Sequence, residues 1–451
     1  MIRLNEIIAV TGGRPLNKAK ESDIKGISID SRTIKPKELF IAIEGDRFNG
    51  HDFVLEAKRK GAAALLISEF RNSFKAVKDI PIIKVCDTVK ALGEIAKFYR
   101  NKFSVCVIAI TGTNGKTTTK DMIFSILNKK YKTLKSEGTQ NNQIGLPLTL
   151  LKLNKDFRFC VVELGTSHPG EIKRLTDIAC PQIGIITNIG PGHLEFFNNL
   201  ENVFKEKFKL VQNLRHPSIA IFNADEPKLN KNCKTLPRSL SFAINRNADF
   251  KASEIHQKGR GLSFSVNNKY RIKLNTPGLF NVYNSLAAIA CARILGLDYS
   301  MIKKALGGFS FPKSRLEIFC QKSVTLIDDS YNSNPLSLEQ AILTLSGQGI
   351  NRRKILVMAD MLELGKAQEQ IHRSFARLIK KSGIDLLITV GRLTRITARE
   401  AQKEGMDKVF ICNYNEEAVS LLKKQISTGD IILVKGSRAM HLEEVVKALL
   451  H

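Results

Sequence analysis

The sequence predicts an α/β protein of three domains, the middle one built on a mainly parallel sheet. Three observations carry that reading. Apolar, β-branched runs alternate with helical periodicity along the chain, the pattern of parallel strands covered by helices. One run, Val105-Cys106-Val107-Ile108-Ala109-Ile110, leads straight into Thr111-Gly112-Thr113-Asn114-Gly115-Lys116-Thr117-Thr118 and then a helical pattern. The length of 451 residues leaves room for about three domains with sizeable cores.

Residues 1–85 form the first, small α/β domain. Glu38-Leu39-Phe40-Ile41-Ala42-Ile43 reads as a strand ending at Gly45, 54–59 as a helix and 62–67 as a buried strand. The second domain covers 86–312 and begins with a helical connection over 86–100. After the Gly-rich run, Met122, Ile123, Ile126 and Leu127 share one helical face, and apolar strands follow at 159–164, 183–188 and 219–223. Glu163, Asn188 and Asn223 lie at the carboxyl ends of those strands, where parallel sheets carry functional residues. The third domain, 313–451, is a doubly wound, Rossmann-like unit with strands at 325–329, 354–358, 386–390 and 431–435 and helices at 371–381 and 416–424. It has no Gly-x-Gly-x-x-Gly turn, so no dinucleotide site is read there.

Composition excludes several classes. A chain 43% hydrophobic and 25% charged is soluble and globular. The start lacks the apolar core of a signal peptide, and no apolar run approaches the roughly 20 residues that span a bilayer. The eight cysteines are scattered with no Cys-x-x-Cys pair, which suits reduced thiols in a cytoplasmic protein. The net charge of +27 comes from lysines spread along the chain, without tryptophan or a basic run interleaved with aromatics. That argues for general composition, with steering of phosphorylated substrates as a by-product, and against a nucleic-acid partner.

Strand, Gly-rich turn, Gly-Lys-Thr and helix make the layout of a phosphate loop, so the central domain reads as a P-loop-type ATPase domain. The backbone of Gly112, Thr113, Asn114, Gly115, Lys116, Thr117 and Thr118 would cradle the phosphates. Lys116 would reach a terminal phosphate and Thr117 would ligate Mg²⁺. The general motif has a glycine where this chain has Ile110. Glu163 is a second hard-oxygen donor for Mg²⁺. His193 lies in a loop past a strand, and Lys205-Glu206-Lys207-Phe208-Lys209 reads on its own as a basic helical face. These features leave a nucleic-acid-dependent NTPase and a catalytically silent nucleotide binder as alternatives to a ligase.

In this order, Thr-Gly-Thr-Asn-Gly-Lys-Thr, Glu163-Leu164-Gly165 and Asn188-Ile189-Gly190-Pro191-Gly192-His193-Leu194 resemble the Mur ligases. These are ATP-dependent, ADP-forming enzymes that make amide bonds in peptidoglycan precursors for the cell wall. The resemblance covers essentially the whole chain. Asn141-Asn142-Gln143-Ile144-Gly145-Leu146-Pro147, Asp328-Asp329-Ser330-Tyr331-Asn332-Ser333-Asn334-Pro335, Ala359-Asp360-Met361-Leu362-Glu363-Leu364-Gly365 and Val434-Lys435-Gly436-Ser437-Arg438 narrow it. They are similar to the member that joins D-alanyl-D-alanine to a UDP-linked muramoyl tripeptide. The alternative is the member that adds the third residue, diaminopimelate or lysine, whose Asp-Asn-Pro-Arg signature is absent here.

The resemblance implies roles residue by residue. Lys116, Glu163, His193 and Lys207 would be catalytic. Thr117 and Glu163 would hold one Mg²⁺, and His193 with a carbamylated Lys207 a second. Asp225, Asn284, Arg315 and Asp329 would contact ATP. In the first domain, Ser31, Asp46, Arg47 and Phe48 would bind the UDP end of the sugar nucleotide. Asn141, Asn142, Ser167 and His168 would face the sugar-peptide. Ser330, Tyr331, Asn332 and Asn334 would serve substrate from the third domain, with loop 360–365 helping to line the dipeptide pocket. A monomer is expected. The chain departs from the family pattern at Thr139, Phe208, Lys209, Phe280 and Ser314.

Overall fold

Runs rich in valine and isoleucine become strands here because each is closed by turn residues and can be covered on both faces. The computed structural model describes residues 2–17, 23–259, 261–321, 324–349 and 351–450, so the chain's terminal residues 1 and 451 lie outside the described residues. Within these, each domain has its own main sheet.

In the first domain a five-stranded sheet runs in the order Arg14–Pro15, Ile82–Lys84, Ala64–Ile67, Glu38–Ile41 and Gly26–Ser28, parallel except for its first pairing. Its two faces follow the period-two rule. Leu39, Ile41 and Leu66 pack toward Leu4–Thr11 and Thr88–Asn101, whereas Phe40, Leu65 and Ile67 pack with Val54–Arg59. Helix Thr88–Asn101 starts where the Asp87 carboxylate accepts the Lys90 N–H at 2.9 Å. Its Leu92 and Ile95 belong to the first domain's core and its Ala96 to the central one, so the connection is a shared wall.

The central sheet has nine strands. From one edge they run Thr133–Lys135, Phe159–Glu163, Cys106–Thr111, Ile183–Ile186, Ile219–Asn223, Ser239–Ala243, Phe250–Lys258, Gly261–Val266 and Tyr270–Leu274. The last two join antiparallel, an extension that the sequence reading left unplaced. Helices Lys116–Leu127, Phe280–Ile294 and Tyr299–Gly307 cover one face, and Gly145–Leu150, Glu171–Ala179 and Leu200–Gln212 the other.

The third domain's sheet runs Glu317–Gln321, Val324–Asp328, Ile431–Lys435, Lys354–Ala359, Leu386–Val390 and Val409–Cys412, parallel after its first pairing. Helices Pro335–Ser346, Gln368–Lys381 and Thr394–Lys403 cover one face, and Asn415–Gln425 and Glu443–Leu450 the other. Among the described residues no helix is long and apolar enough to cross a membrane.

Candidate active site at the domain junction

Strand Cys106–Thr111 ends beneath loop 112–115, and helix Lys116–Leu127 begins immediately after it. Gly112 and Gly115 take φ of 149° and 81°. A Cβ would sit 1.9 Å from Thr187 Oγ1 at the first and 2.2 Å from Asn284 Oδ1 at the second, so both must be glycine. Ile110 explains the missing motif glycine. It is still strand, pairs with Glu163 and Ile185 on either side, and is fully buried. The first-turn N–H groups of the helix have no acceptor within it, which leaves them for an anion. Lys116 Nζ lies on its own loop, donating to the Gly112 and Thr113 carbonyls at 2.9 and 3.0 Å. Burial pulls its pKa below the ordinary lysine value, against an opposing pull from Glu163.

Thr117 lies in the first turn of the helix, and Glu163 ends the strand beside Cys106–Thr111, so register brings them together. Thr117 Oγ1 donates to Glu163 Oε2 at 2.7 Å, while Asn141 Nδ2 donates to Glu163 Oε1 at 2.8 Å. Among the described residues no three His, Cys, Asp or Glu side chains converge as a preformed metal cage. A buried hydroxyl and a buried carboxylate beside a phosphate loop nevertheless fit Mg²⁺, which keeps several waters and takes its other ligands from substrate phosphates.

His193 and Lys207 stand nearby on other elements. His193 has φ of 53°, and its Nδ1 lies 2.5 Å from Glu363 Oε2 of the third domain. The hydrogen bond to His193 holds the Glu363 carboxyl below its usual range. Lys207, on helix Leu200–Gln212, is only 4% exposed. Burial first, then repulsion from Lys116, pushes its amine down to about 7 against the attraction of Glu206. The basic surface that the bare sequence suggested is thus a buried amine at this position. Lys209 turns away: it pairs with Glu206 at 2.7 Å, and Glu206 accepts the N–H groups of Gly170 and Ile172 at the start of Glu171–Ala179.

The third domain closes the site. Arg315 Nη2 donates to Thr117 Oγ1 at 3.2 Å, and its guanidinium lies 4.0 Å from the centre of the Tyr331 ring. Ser314 adopts φ of 56° and gives its hydroxyl to Asp328 at 2.8 Å. Ser330 is buried and bonds the same carboxylate through its N–H and hydroxyl at 2.9 and 2.6 Å. Asn332 accepts Lys435 Nζ on its carbonyl at 3.0 Å, and Asn334 caps helix Pro335–Ser346.

Several candidates are spent on the protein itself. Asp329 pairs with buried Lys435 at 2.5 Å, and burial pushes its carboxyl up against the pull of that lysine. Asp225 accepts the N–H groups of Ile244, Asn245 and Arg246 at 2.8, 3.0 and 2.8 Å and the Tyr283 hydroxyl at 2.9 Å. Burial works to raise its pKa, and these bonds outweigh burial and leave it low. Asn284 backs the phosphate loop, with Oδ1 toward Thr119 and Nδ2 on Asn281 Oδ1 at 3.2 Å. Asp360 accepts the N–H groups of Arg392 and Thr394 at 3.0 and 2.8 Å, a structural cap within loop 360–365. Asn142 Oδ1 accepts the N–H groups of Ile144 and Gly145, and the amides of Ser167 and His168 go to Glu171. The His168 ring lies 4.3 Å from that of Phe196. In the first domain Ser31 gives its hydroxyl to Glu56 at 2.9 Å, and the turn carrying Asp46, Arg47 and Phe48 leaves Phe48 72% exposed.

Sequence reading set Asn188 at a functional strand end but gave no individual task to it, to Lys435 or to Glu363. Asn188 holds the loop by accepting the Asn114 N–H at 2.9 Å. Lys435 and Glu363 lay inside motifs singled out above without roles; a lysine and a glutamate at strand and loop ends of those motifs were the available signal.

Comparisons with known proteins bear on the family and the fold. Three family models match the chain: the "Mur ligase family, catalytic domain" over 23–100, the "Mur ligase middle domain" over 110–292 and the "Mur ligase, glutamate ligase domain" over 314–438. A UDP-N-acetylmuramoyl-tripeptide–D-alanyl-D-alanine ligase of Bacillus subtilis is 35% identical over 96% of this chain and 94% of its own. A crystal structure of MurF from Acinetobacter baumannii superposes with a TM-score of 0.89 at 29% identity, covering 99% of this chain and 98% of that one. MurF ligase from Thermotoga maritima, in complex with ADP, gives 0.84 at 25% identity over 94% and 97% of the two chains. The chain belongs to the Mur ligase family.

Proposed function

We propose that this protein joins D-alanyl-D-alanine to a UDP-N-acetylmuramoyl-tripeptide with conversion of ATP to ADP and phosphate. The observation that carries the reading is the full-length likeness to ligases of that name, set on a phosphate loop whose Thr117 hydroxyl meets both Glu163 and Arg315. Residues 1–85 hold the UDP end through Ser31 and the 46–48 turn, 86–312 bind ATP, and 313–451 bring the dipeptide. Asn141, Asn142, Ser167 and His168 face the sugar-peptide, and loops 330–334 and 360–365 flank the dipeptide. Asp225, Asn284 and Asp329 act on ATP through the loops they fix rather than by free polar atoms. The protein works as a monomer in the cytoplasm; none of its eight cysteines forms a disulfide, which suits a reducing compartment.

The chemistry proceeds in two displacements. A terminal carboxylate oxygen of the tripeptide attacks the γ-phosphorus, the bond to the β-bridging oxygen breaks, and ADP departs. The dipeptide amine then attacks the acyl carbon, loses a proton, and the tetrahedral adduct expels phosphate. Two anions meet in the first step, so Lys116 and Arg315 must offset their charge and align them. Mg²⁺ held by Thr117 and Glu163 would add charge neutralisation and orientation of the phosphates. Lys207 suits carbamylation: burial that holds its amine at about 7 leaves a substantial neutral fraction at neutral pH, nucleophilic toward CO₂, and the product is an anionic oxygen donor with release of a proton. That donor, with His193, would suit a second Mg²⁺. Closure of the third domain over the loop keeps water from the acyl phosphate.

The test is phosphate release and product mass with purified protein, ATP and defined pairs. UDP-linked tripeptide with D-alanyl-D-alanine should yield the pentapeptide. Turnover only with UDP-linked dipeptide and a free amino acid would assign the third-residue reaction instead.

A further inference from the structure

Two asparagine side chains meet face to face across the junction of the central and third domains. Asn114 Nδ2 donates to Asn334 Oδ1 at 3.1 Å, and Asn334 Nδ2 donates to Asn114 Oδ1 at 2.7 Å. The surroundings fix both orientations. Asn334 Oδ1 accepts the Ser337 N–H at 2.9 Å as the cap of Pro335–Ser346, so its nitrogen must point away from the helix. The main chain of Asn114 is committed inside the central domain: its N–H goes to Asn188 Oδ1 at 2.9 Å, and its carbonyl accepts Thr187 Oγ1 and Asn188 Nδ2 at 2.6 and 3.0 Å. Only the side chain is left to cross. Beside the pair, Leu336 of the same helix comes so close to Gly190 that a Cβ there would be 2.9 Å from Leu336 Cδ2.

We infer that Asn334 is a positioning residue that clasps the phosphate loop to the third domain, so that the loop is held in its phosphate-binding shape when the domains close. This rests on the ligase reading and gives Asn334 a task other than contact with the dipeptide. The chemistry suits the place. A reciprocal amide pair satisfies a donor and an acceptor on each side while adding no charge, so it can form beside a triphosphate. An aspartate would cap the helix equally well but would set a carboxylate against that anion. Because the same oxygen caps Pro335–Ser346, the clasp also transmits the position of the whole helix to the loop.

The experiment is a double-mutant cycle on the full chain with ATP, UDP-linked tripeptide and D-alanyl-D-alanine. Asn334→Ser keeps a cap for the helix but is too short to reach Asn114, and Asn114→Ala removes the other half. Each single change should lower kcat by about tenfold, and the double variant should fall no further than the worse single. The Tm of Asn334→Ser and its KM for the dipeptide should stay at wild-type values. Additive losses, an unchanged kcat, or a defect confined to the dipeptide KM would overturn the clasp. Failure of the wild type to ligate these substrates would instead remove the ligase reading. Small-angle scattering then still tests the clasp: ATP should compact the wild type more than Asn334→Ser, and equal compaction of both would overturn it.

Discussion

Arg315 and Thr117 lie 198 residues apart in sequence, yet Arg315 Nη2 donates to Thr117 Oγ1 at 3.2 Å while the same hydroxyl donates to Glu163. A cation from the third domain therefore stands directly over the phosphate loop of the second. Its stacking on Tyr331 restrains the side chain from swinging into solvent.

Arg315→Ala should lower kcat by about 100-fold, the scale for losing one charge-stabilising donor. Arg315→Lys should recover only part of that, because an ammonium neither stacks nor forks in the same way. Steady-state kinetics with saturating ATP checks this; activity within twofold of wild type for the alanine variant would refute the assigned role.

Lys207 makes a prediction with opposite signs for activity and stability. Its folded pKa of about 7 lies below the ordinary 10.5. Between those values the unfolded chain binds more protons than the folded one, so stability rises with pH through that window and is lowest at and below about pH 7. Lys207→Met should therefore raise Tm by a few degrees at pH 7 in CO₂-depleted buffer, with the gain fading toward pH 10. The same variant should lose activity, and Lys207→Ala should be partly rescued by small carboxylates. Thermal scans across pH and a rescue assay decide the matter; full activity without rescue removes the carbamate.

Lys116→Ala should abolish ATP turnover and leave the fold intact, since its amine rests on two loop carbonyls and carries the cost of partial burial. Circular dichroism, Tm and an ATPase assay on one preparation separate the two effects. Retained turnover would show that another cation serves the γ-phosphate.

Ser314 occupies a left-handed conformation and bonds Asp328. Ser314→Gly should keep stability close to wild type, relieving strain while losing the hydrogen bond. Ser314→Val should cost about 2 kcal/mol through its β-branched side chain at positive φ and the lost bond, read as a drop in Tm. Equal stability of the valine and glycine variants would show that the backbone there relaxes.

What could be read from sequence was local. The phosphate loop declares itself because strand, glycines, lysine and threonine are contiguous, and Glu163 because it closes an apolar run. The distant partners that hold the aspartates were not legible. Asp225 and Asp329 look alike as carboxylates just past strand ends, yet one anchors loop 244–246 and the other pairs with Lys435, 106 residues away. Lys207 looked like a surface lysine because helical periodicity shows which residues share a face, not what covers it. Strands Gly261–Val266 and Tyr270–Leu274 alternate apolar and polar residues, with Leu262, Phe264 and Val266 and then Tyr270, Ile272 and Leu274 on one face, and were missed because the reading followed continuous apolar runs, which one-sided strands lack.

The order of the central strands has a metric consequence. Asn223, the loop after Ile183–Ile186, the phosphate loop and Glu163 stand at the ends of four adjacent parallel strands. Three interstrand steps make about 14 Å. The carboxyl end of the sheet thus works as a ruler: backbone pairing, not side-chain length, sets the distance between Glu163 and Asn223.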